Sequence, residues 1–349
     1  MDAGSEATDT IVAAASAPGV GALAVVRISG MAAGTIAGRV LCGELPAVRR
    51  ATRMMLRDSG GETLDDAVVI RYEAPHSYTG ENLVEFVCHG GWVTPARLVV
   101  ALVEAGARPA LPGEFTRRAV LNGKLDLLQA EAVNDLIRAN STAGARLALG
   151  QLDGGLSRRI SILRDQIIEL EALMVYEIDF PEEDDGPIDN ARIENATQDL
   201  ISALDRLVAT TPVGELMRQG ALVTIIGAPN VGKSSLFNAL LGRNRALVTE
   251  FPGTTRDALD AVLDVSPIPL RLVDTAGLRD TTDLVEALGV AVSRDYLMRA
   301  QVVLACGDST ERMANALEAA RAASGVVIPV LTKSDLNDAN QAGQSASGQ

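Results

Sequence analysis

The run Gly227-Ala228-Pro229-Asn230-Val231-Gly232-Lys233-Ser234 limits what this chain can fold into more than any other stretch. Apolar Leu222–Ile226 precedes it and helix-forming Ser235–Leu241 follows, so a strand, a glycine loop and a helix succeed one another. In that context the spacing GxxxxGK[ST] is a phosphate cradle. Glycines let backbone N–H groups curl around phosphate oxygens, and the helix N-terminus adds partial positive charge. Lys233 offers a point charge to the β and γ phosphates, a catalytic role, and the Ser234 hydroxyl is a Mg²⁺ ligand. Asn230, Val231, Gly232 and Ser235 complete the expected phosphate contacts.

Three downstream elements narrow the nucleotide. Asp274-Thr275-Ala276-Gly277 ends an expected strand, where Asp274 would reach Mg²⁺ through water and the Gly277 N–H would meet a γ-phosphate. In Gly253-Thr254-Thr255-Arg256-Asp257, Thr255 is placed to ligate Mg²⁺. Thr332-Lys333-Ser334-Asp335 fits a guanine-reading [NT]KxD element. Asp335 would accept from N1–H and N2–H₂ of guanine, donors that adenine lacks there, and Lys333 would lie along the base. An unpaired carboxylate is costly, so the pattern favours GTP over ATP.

Around this site the chain changes character twice. Residues 1–121 alternate β-like runs (Thr10–Ala15, Ala22–Ile28, Asp66–Tyr72, Leu83–Cys88) with glycine turns and two helical stretches near Met31–Val40 and Val93–Ala105. This is an α+β module. Residues 122–219 read as packed helices: Ile160, Leu163, Ile167, Leu170 and Met174 recur on one helical face, as do Leu200, Leu204 and Leu207. Asp153-Gly154-Gly155 is expected to bend or interrupt the first helix, and the acidic run Asp179–Pro187 is read as a solvated loop rather than a hard-cation site. Residues 220–349 return to strand–helix alternation, with strands at Leu222–Ile226, Leu259–Val265, Leu270–Val273, Val302–Cys306 and Val326–Leu331. That implies a doubly wound α/β domain.

Composition excludes several classes. A net charge of −14 provides no global field for nucleic acid, so RNA contact needs a local patch or a partner. Aromatic residues are only 3%, so the cores must be aliphatic. The cysteines Cys42, Cys88 and Cys306 lie far apart, which argues against a disulfide or zinc framework. No apolar run reaches the ~18 residues that span a bilayer, and the expected location is cytoplasmic. Cys88 and His89 are adjacent on a strand, point to opposite faces and are read as structural.

Beyond the nucleotide motifs, the chain resembles the MnmE/TrmE family of tRNA wobble-uridine modification GTPases. The resemblance rests on Asp9-Thr10-Ile11-Val12-Ala13, Arg27-Ile28-Ser29-Gly30, Tyr78-Thr79-Gly80-Glu81 and His89-Gly90-Gly91. It continues through Pro112-Gly113-Glu114-Phe115-Thr116, Leu121–Leu127, Asp179–Glu183 and the glycine loop. It implies a homodimer through the N-terminal domain, a 5-formyltetrahydrofolate-type one-carbon donor at Arg27, Glu85 and Lys124, and an FAD-dependent partner of the MnmG type. Together the two proteins would place a carboxymethylaminomethyl or aminomethyl group on C5 of a tRNA wobble uridine. On the residues alone, those three scattered charges are equally ordinary surface groups. The resemblance further implies K⁺ held by Asn230, Thr249, Phe251 and Thr254, a nucleotide loop that includes Glu250, Pro252, Gly253, Thr275 and Ala276, and Glu286 as a water-orienting acid.

In the family more protein follows the position of Ser345-Ala346: a last helix of the G domain, the second half of the helical domain and a Cys-x-Gly-Lys tail. The helical and GTPase domains are therefore expected to be incomplete and to expose apolar surface. Two other readings compete: a different P-loop GTPase such as a ribosome-assembly factor, and a non-catalytic folate-binding dimerisation scaffold.

Overall fold

A computed structural model describes residues 9–179, 190–243, 246–247, 259–265, 267–274 and 295–334. The chain divides into two compact units, one ending at Ala130 and the other beginning at Glu131.

In the first unit, β1 (Ile11–Ala14), β2 (Leu23–Ser29), β3 (Thr52–Arg57), β4 (Thr63–Tyr72), β5 (Leu83–His89) and β6 (Arg108–Pro109) form one sheet in the order β3-β4-β5-β2-β1-β6. All pairs are antiparallel except β1 with β6. Alternation in β2 and β5 sends Val26, Ile28, Val84, Phe86 and Cys88 to one face. Two helices, α1 (Ala33–Val40) and α2 (Thr94–Glu104), cover that face with Ile36, Val40, Leu98 and Leu102. Phe86 is fully buried among aliphatic neighbours, as the low aromatic content requires.

Sequence periodicity missed β3 and a third helix, α3 (Glu114–Leu121). In β3 the adjacent Met54 and Met55 break the alternation, and a bulge at Leu56/Arg57 shifts its register. The short α3 has no apolar stripe: its buried residues are Glu114, Arg118 and Ala119.

Charge holds α3 in place. Glu114 accepts from Arg108 at 2.7 and 3.0 Å, from the Leu111 N–H at 2.8 Å and from Arg118 at 3.1 Å. Arg118 also donates to the Asp9 carbonyl at 2.7 Å and to Glu81 at 3.1 Å. Glu81 in turn accepts from the Ser29 hydroxyl at 2.7 Å, which meets Thr79 at 2.7 Å. This network ties the entry of β1, the end of β2 and the Tyr78–Glu81 loop to α3. Every charge in it is paired, the condition under which buried charge is tolerated.

Helix α4 (Leu127–Arg138) spans the boundary between the units in sequence, and the second unit continues with α5 (Thr142–Leu152), α6 (Gly155–Asp179), α7 (Asn190–Val208) and α8 (Thr211–Gln219). Gly154, at φ +79, separates α5 from α6, as the glycine pair suggested. The apolar stripe of α6 lies along a helix, yet Ile160, Ile167 and Met174 stay more than two-fifths exposed, so periodicity identified the helix and overstated its burial.

The same unit holds a second sheet: β7 (Ala221–Gly227), β8 (Ala246–Leu247), β9 (Leu259–Leu263), β10 (Leu270–Asp274), β11 (Val302–Gly307) and β12 (Val326–Leu331), in the order β12-β11-β7-β10-β9-β8. β7, β10, β11 and β12 are parallel, with α9 (Lys233–Arg243) and α10 (Thr310–Ala319) among the connections. β9 runs antiparallel to β10, because the short segment joining them allows only a hairpin. Asp264 in that segment supports the start of α5, accepting from the Thr142 N–H at 3.0 Å and its hydroxyl at 2.6 Å beside the Ser141 N-cap. On β12, Val326, Ile328 and Leu331 are exposed, so both the helices and the sheet of this unit show apolar surface.

The Arg108 guanidinium, aided by the Leu111 N–H and Arg118 against the cost of burial, holds the Glu114 carboxyl at about 2, below its ordinary 4.5. A depressed carboxyl stabilises the fold fully above pH 4.5 and loses that contribution as pH falls toward 2, a difference of order ~3 kcal/mol. Glu114→Gln is expected to cost about that much at pH 7 and to flatten stability between pH 4.5 and 2. Urea unfolding of the first unit, followed by its single tryptophan Trp92, checks both outcomes.

Candidate functional site

Register brings the carboxyl ends of the parallel strands to one edge: Asp274 lies beside Ile225, Cys306 beside Gly227 and Leu331 beside Gly307. Ligands of open α/β sheets bind at that edge. β7 leaves it at Gly227, φ +149, where an added Cβ would lie 2.4 Å from the Cys306 carbonyl oxygen. Glycine is obligatory there on both counts. The loop turns through Asn230 at φ +58 and Gly232 at φ +101 before α9 starts at Lys233.

Lys233 is buried and folds back over the loop, donating to the Gly227 carbonyl at 3.0 Å and the Ala228 carbonyl at 2.8 Å. Its ammonium therefore lies within the concavity whose N–H groups suit a phosphate. Ser234 and Ser235 are exposed on the first turn of α9, where the partial positive charge of a helix end is greatest. This arrangement fits an anionic phosphate chain, and Ser234 can contribute one hydroxyl to a hard cation beside it.

Thr332 and Lys333 arrive from the end of β12. The Thr332 hydroxyl donates to the Val231 carbonyl and reaches the Gly307 carbonyl at 3.2 Å, stapling the loop to β11. The Lys333 ammonium donates to the Asn230 carbonyl at 2.7 Å and to Asp308 at 3.1 Å. Lys333 and, more weakly, Arg312 hold the Asp308 carboxyl below the usual carboxylate range against the cost of burial. Asp308 belongs to none of the nucleotide motifs, although a polar residue just past an apolar strand at this edge is a usable signal.

Thr249, Glu250, Phe251, Pro252, Gly253, Thr254, Thr255, Thr275, Ala276, Gly277, Glu286 and Asp335 lie outside the described residues. For Asp274 the backbone alone is described, at the end of β10. Among the described residues, no cluster of three or more His, Cys, Asp or Glu suits a metal.

In the first unit Arg27 and Glu85 face each other across β2 and β5, bonded at 2.9 and 2.7 Å. The guanidinium sits 4.8 Å from the centre of the Tyr78 ring and 5.6 Å from that of Phe115. Tyr72 donates to Glu85 at 3.4 Å, and burial followed by the Glu85 charge pushes its phenol up. Lys124 is exposed, and its side chain lies where a Cβ on Gly80 would meet it at 3.2 Å. The structure thus pairs two of the three predicted charges and places the third against the loop that carries Tyr78. Cys88 is fully buried, donating to the Ala24 carbonyl at 3.5 Å, while the exposed His89 ring meets Asp65 at 2.7 Å.

Comparison with known proteins follows this division. Residues 10–124 match the family described as the GTP-binding protein TrmE N-terminus, and residues 127–347 match the MnmE helical domain. The tRNA modification GTPase MnmE of Azoarcus sp. (strain BH72) is 45% identical over 94% of this chain and 73% of its own length. The chain belongs to the MnmE family. The MnmE of Neisseria meningitidis serogroup B (strain ATCC BAA-335 / MC58) is also 45% identical, over 88% of this chain and 68% of its own. Among solved structures, the G domain of the T. maritima FeoB iron transporter is 28% identical over 37% of this chain and 82% of that one, with a TM-score of 0.27, too low to carry an argument.

Within this MnmE-family chain, Gly227 is the most sharply constrained backbone position of the loop. Gly227→Ala is expected to cost more than ~3 kcal/mol through strain and contact with Cys306. Gly242→Ala, with open space around it, should stabilise α9 by up to ~1 kcal/mol. Hydrogen exchange of the β7 amides should accelerate in the first variant and not in the second.

Proposed function

We propose that this chain binds and hydrolyses GTP in the service of tRNA modification. The observation that carries the reading is the folded-back Lys233 in a glycine loop stapled by Thr332 and Lys333. Those two residues begin the Thr332–Asp335 element expected to read guanine, which supports base recognition beside the loop. Family membership supports the same reading, since its relatives are named tRNA modification GTPases.

Within this reading the loop N–H groups and Lys233 bind the phosphates and stabilise charge that develops on them, the main source of rate enhancement in phosphoryl transfer. Ser234 and Thr255 would hold Mg²⁺, with Asp274 acting through water. Asn230, Thr249, Phe251 and Thr254 would hold K⁺, which would supply positive charge to offset charge developing on the phosphates. Glu286 orients the attacking water. In the first unit, the Arg27–Glu85 pair and Lys124 offer a guanidinium, a carboxylate and an amine to a folate such as 5-formyltetrahydrofolate. Tyr78 and Phe115 beside Arg27 suit its planar ring.

A homodimer through the first unit, an FAD-dependent partner of the MnmG type and tRNA complete the proposal. The acidic balance of the chain leaves most RNA contact to that partner. No helix among the described residues is long and apolar enough to cross a membrane, and the proposed location is the cytoplasm.

GTP turnover by the full chain in K⁺ and in Na⁺ tests this reading. Faster turnover in K⁺ by about tenfold or more, lost in Asn230→Ala, and a drop of ~10²-fold or more in Lys233→Ala are expected. Equal rates in both salts would favour a different P-loop GTPase. No turnover with folate binding retained would leave a scaffold.

A further inference from the structure

We propose that Asp308 is a positioning residue of the nucleotide site, acting through Lys333 on the turn of the glycine loop. This rests on the guanine-nucleotide reading above and assigns a role to a residue outside its motifs.

Asp308 is fixed from two sides. β11 ends at Gly307, where an added Cβ would lie 2.6 Å from the Met313 backbone, so α10 packs directly on the strand end. Ser309 caps α10 by accepting from the Arg312 N–H at 3.3 Å. Arg312, in the first turn of α10, then donates to both Asp308 oxygens at 3.0 and 3.1 Å. The carboxylate, 14% exposed, therefore presents a fixed acceptor to the Lys333 ammonium at 3.1 Å.

Lys333 needs that acceptor. A lysine ammonium on its four-carbon stem has no preferred direction of its own, and this one is 40% exposed. Held by Asp308, it donates to the Asn230 carbonyl at 2.7 Å. Lys333 at φ +55 and Asn230 at φ +58 are both non-glycine residues in the left-handed region, and this hydrogen bond joins them. Such backbone persists where surroundings over-determine it. Asp308 is the charge that directs the bond, so removing it frees Lys333 and loosens the loop at Asn230.

Release of N-methylanthraniloyl-GDP from the full chain tests the chain of contacts, with circular dichroism confirming that each variant is folded. Asp308→Ala and the nearly isosteric Asp308→Asn should each speed release by about tenfold, the scale of one charge-assisted hydrogen bond. In a Lys333→Ala background, Asp308→Ala should change release by less than about twofold, because groups acting in series are not additive. An equal effect in both backgrounds, as a purely structural Asp308–Arg312 pair would give, overturns the proposal. So does unchanged release in both single variants. Failure of the unaltered chain to bind GDP overturns the nucleotide reading and this inference with it, whereas tight binding with additive variants overturns this inference alone.

Discussion

The second unit depends on how β7 is held. It is paired in parallel on both sides, to β10 and to β11, and Val223, Thr224 and Ile225 are buried. A strand bonded along both edges cannot slide by one residue without breaking two ladders and carrying every side chain to the opposite packed face. Its last residue, Gly227, is therefore fixed against the Cys306 carbonyl, and the loop that follows has one starting direction. Asp274, Gly307 and Thr332 reach the same edge because their strands share that register. The site is thus a consequence of sheet pairing, completed by three side chains that bond to the loop itself: Lys233, Thr332 and Lys333.

The first unit solves a different problem by different means. Its apolar core lies on one face of the sheet under α1 and α2, whereas the ends of β1 and β2, the Tyr78–Glu81 loop and α3 are joined by paired charges. Apolar packing is non-directional, while a guanidinium meeting carboxylates fixes angle as well as distance. That distinction matters beside Arg27, whose neighbours Tyr78 and Phe115 sit on the loop and helix joined by Arg118, Glu81 and Glu114. The motifs Tyr78–Glu81 and Pro112–Thr116, which first pointed to a family, supply this scaffold as well as the aromatic rings.

Much of this was legible in the sequence where hydrophobic pattern decides structure. β7, β10, β11, β12 and the major strands of the first sheet stand out as apolar runs ended by turn residues. What escaped was held by charge or set by the connections. α3 has buried arginine and glutamate where an apolar stripe would have marked it, and β3 lacks clean alternation. The reversed direction of β9 follows from a short connection whose meaning needs the partner strand. Asp308 carries no motif; its role appears only when Lys333, distant in sequence, is brought to it by β12. The α6 stripe shows the converse limit, since periodicity reports a face and not what covers it.

The central claim is that the carboxyl edge of the second sheet reads a guanine nucleotide. Calorimetric titration of the full chain with GDP and with ADP in Mg²⁺ tests it most directly. The account predicts saturable GDP binding and ADP binding weaker by ~10²-fold or more, because adenine would leave the carboxylate proposed to read the base unpaired. Equal affinity for the two nucleotides, or heat from neither, would contradict it.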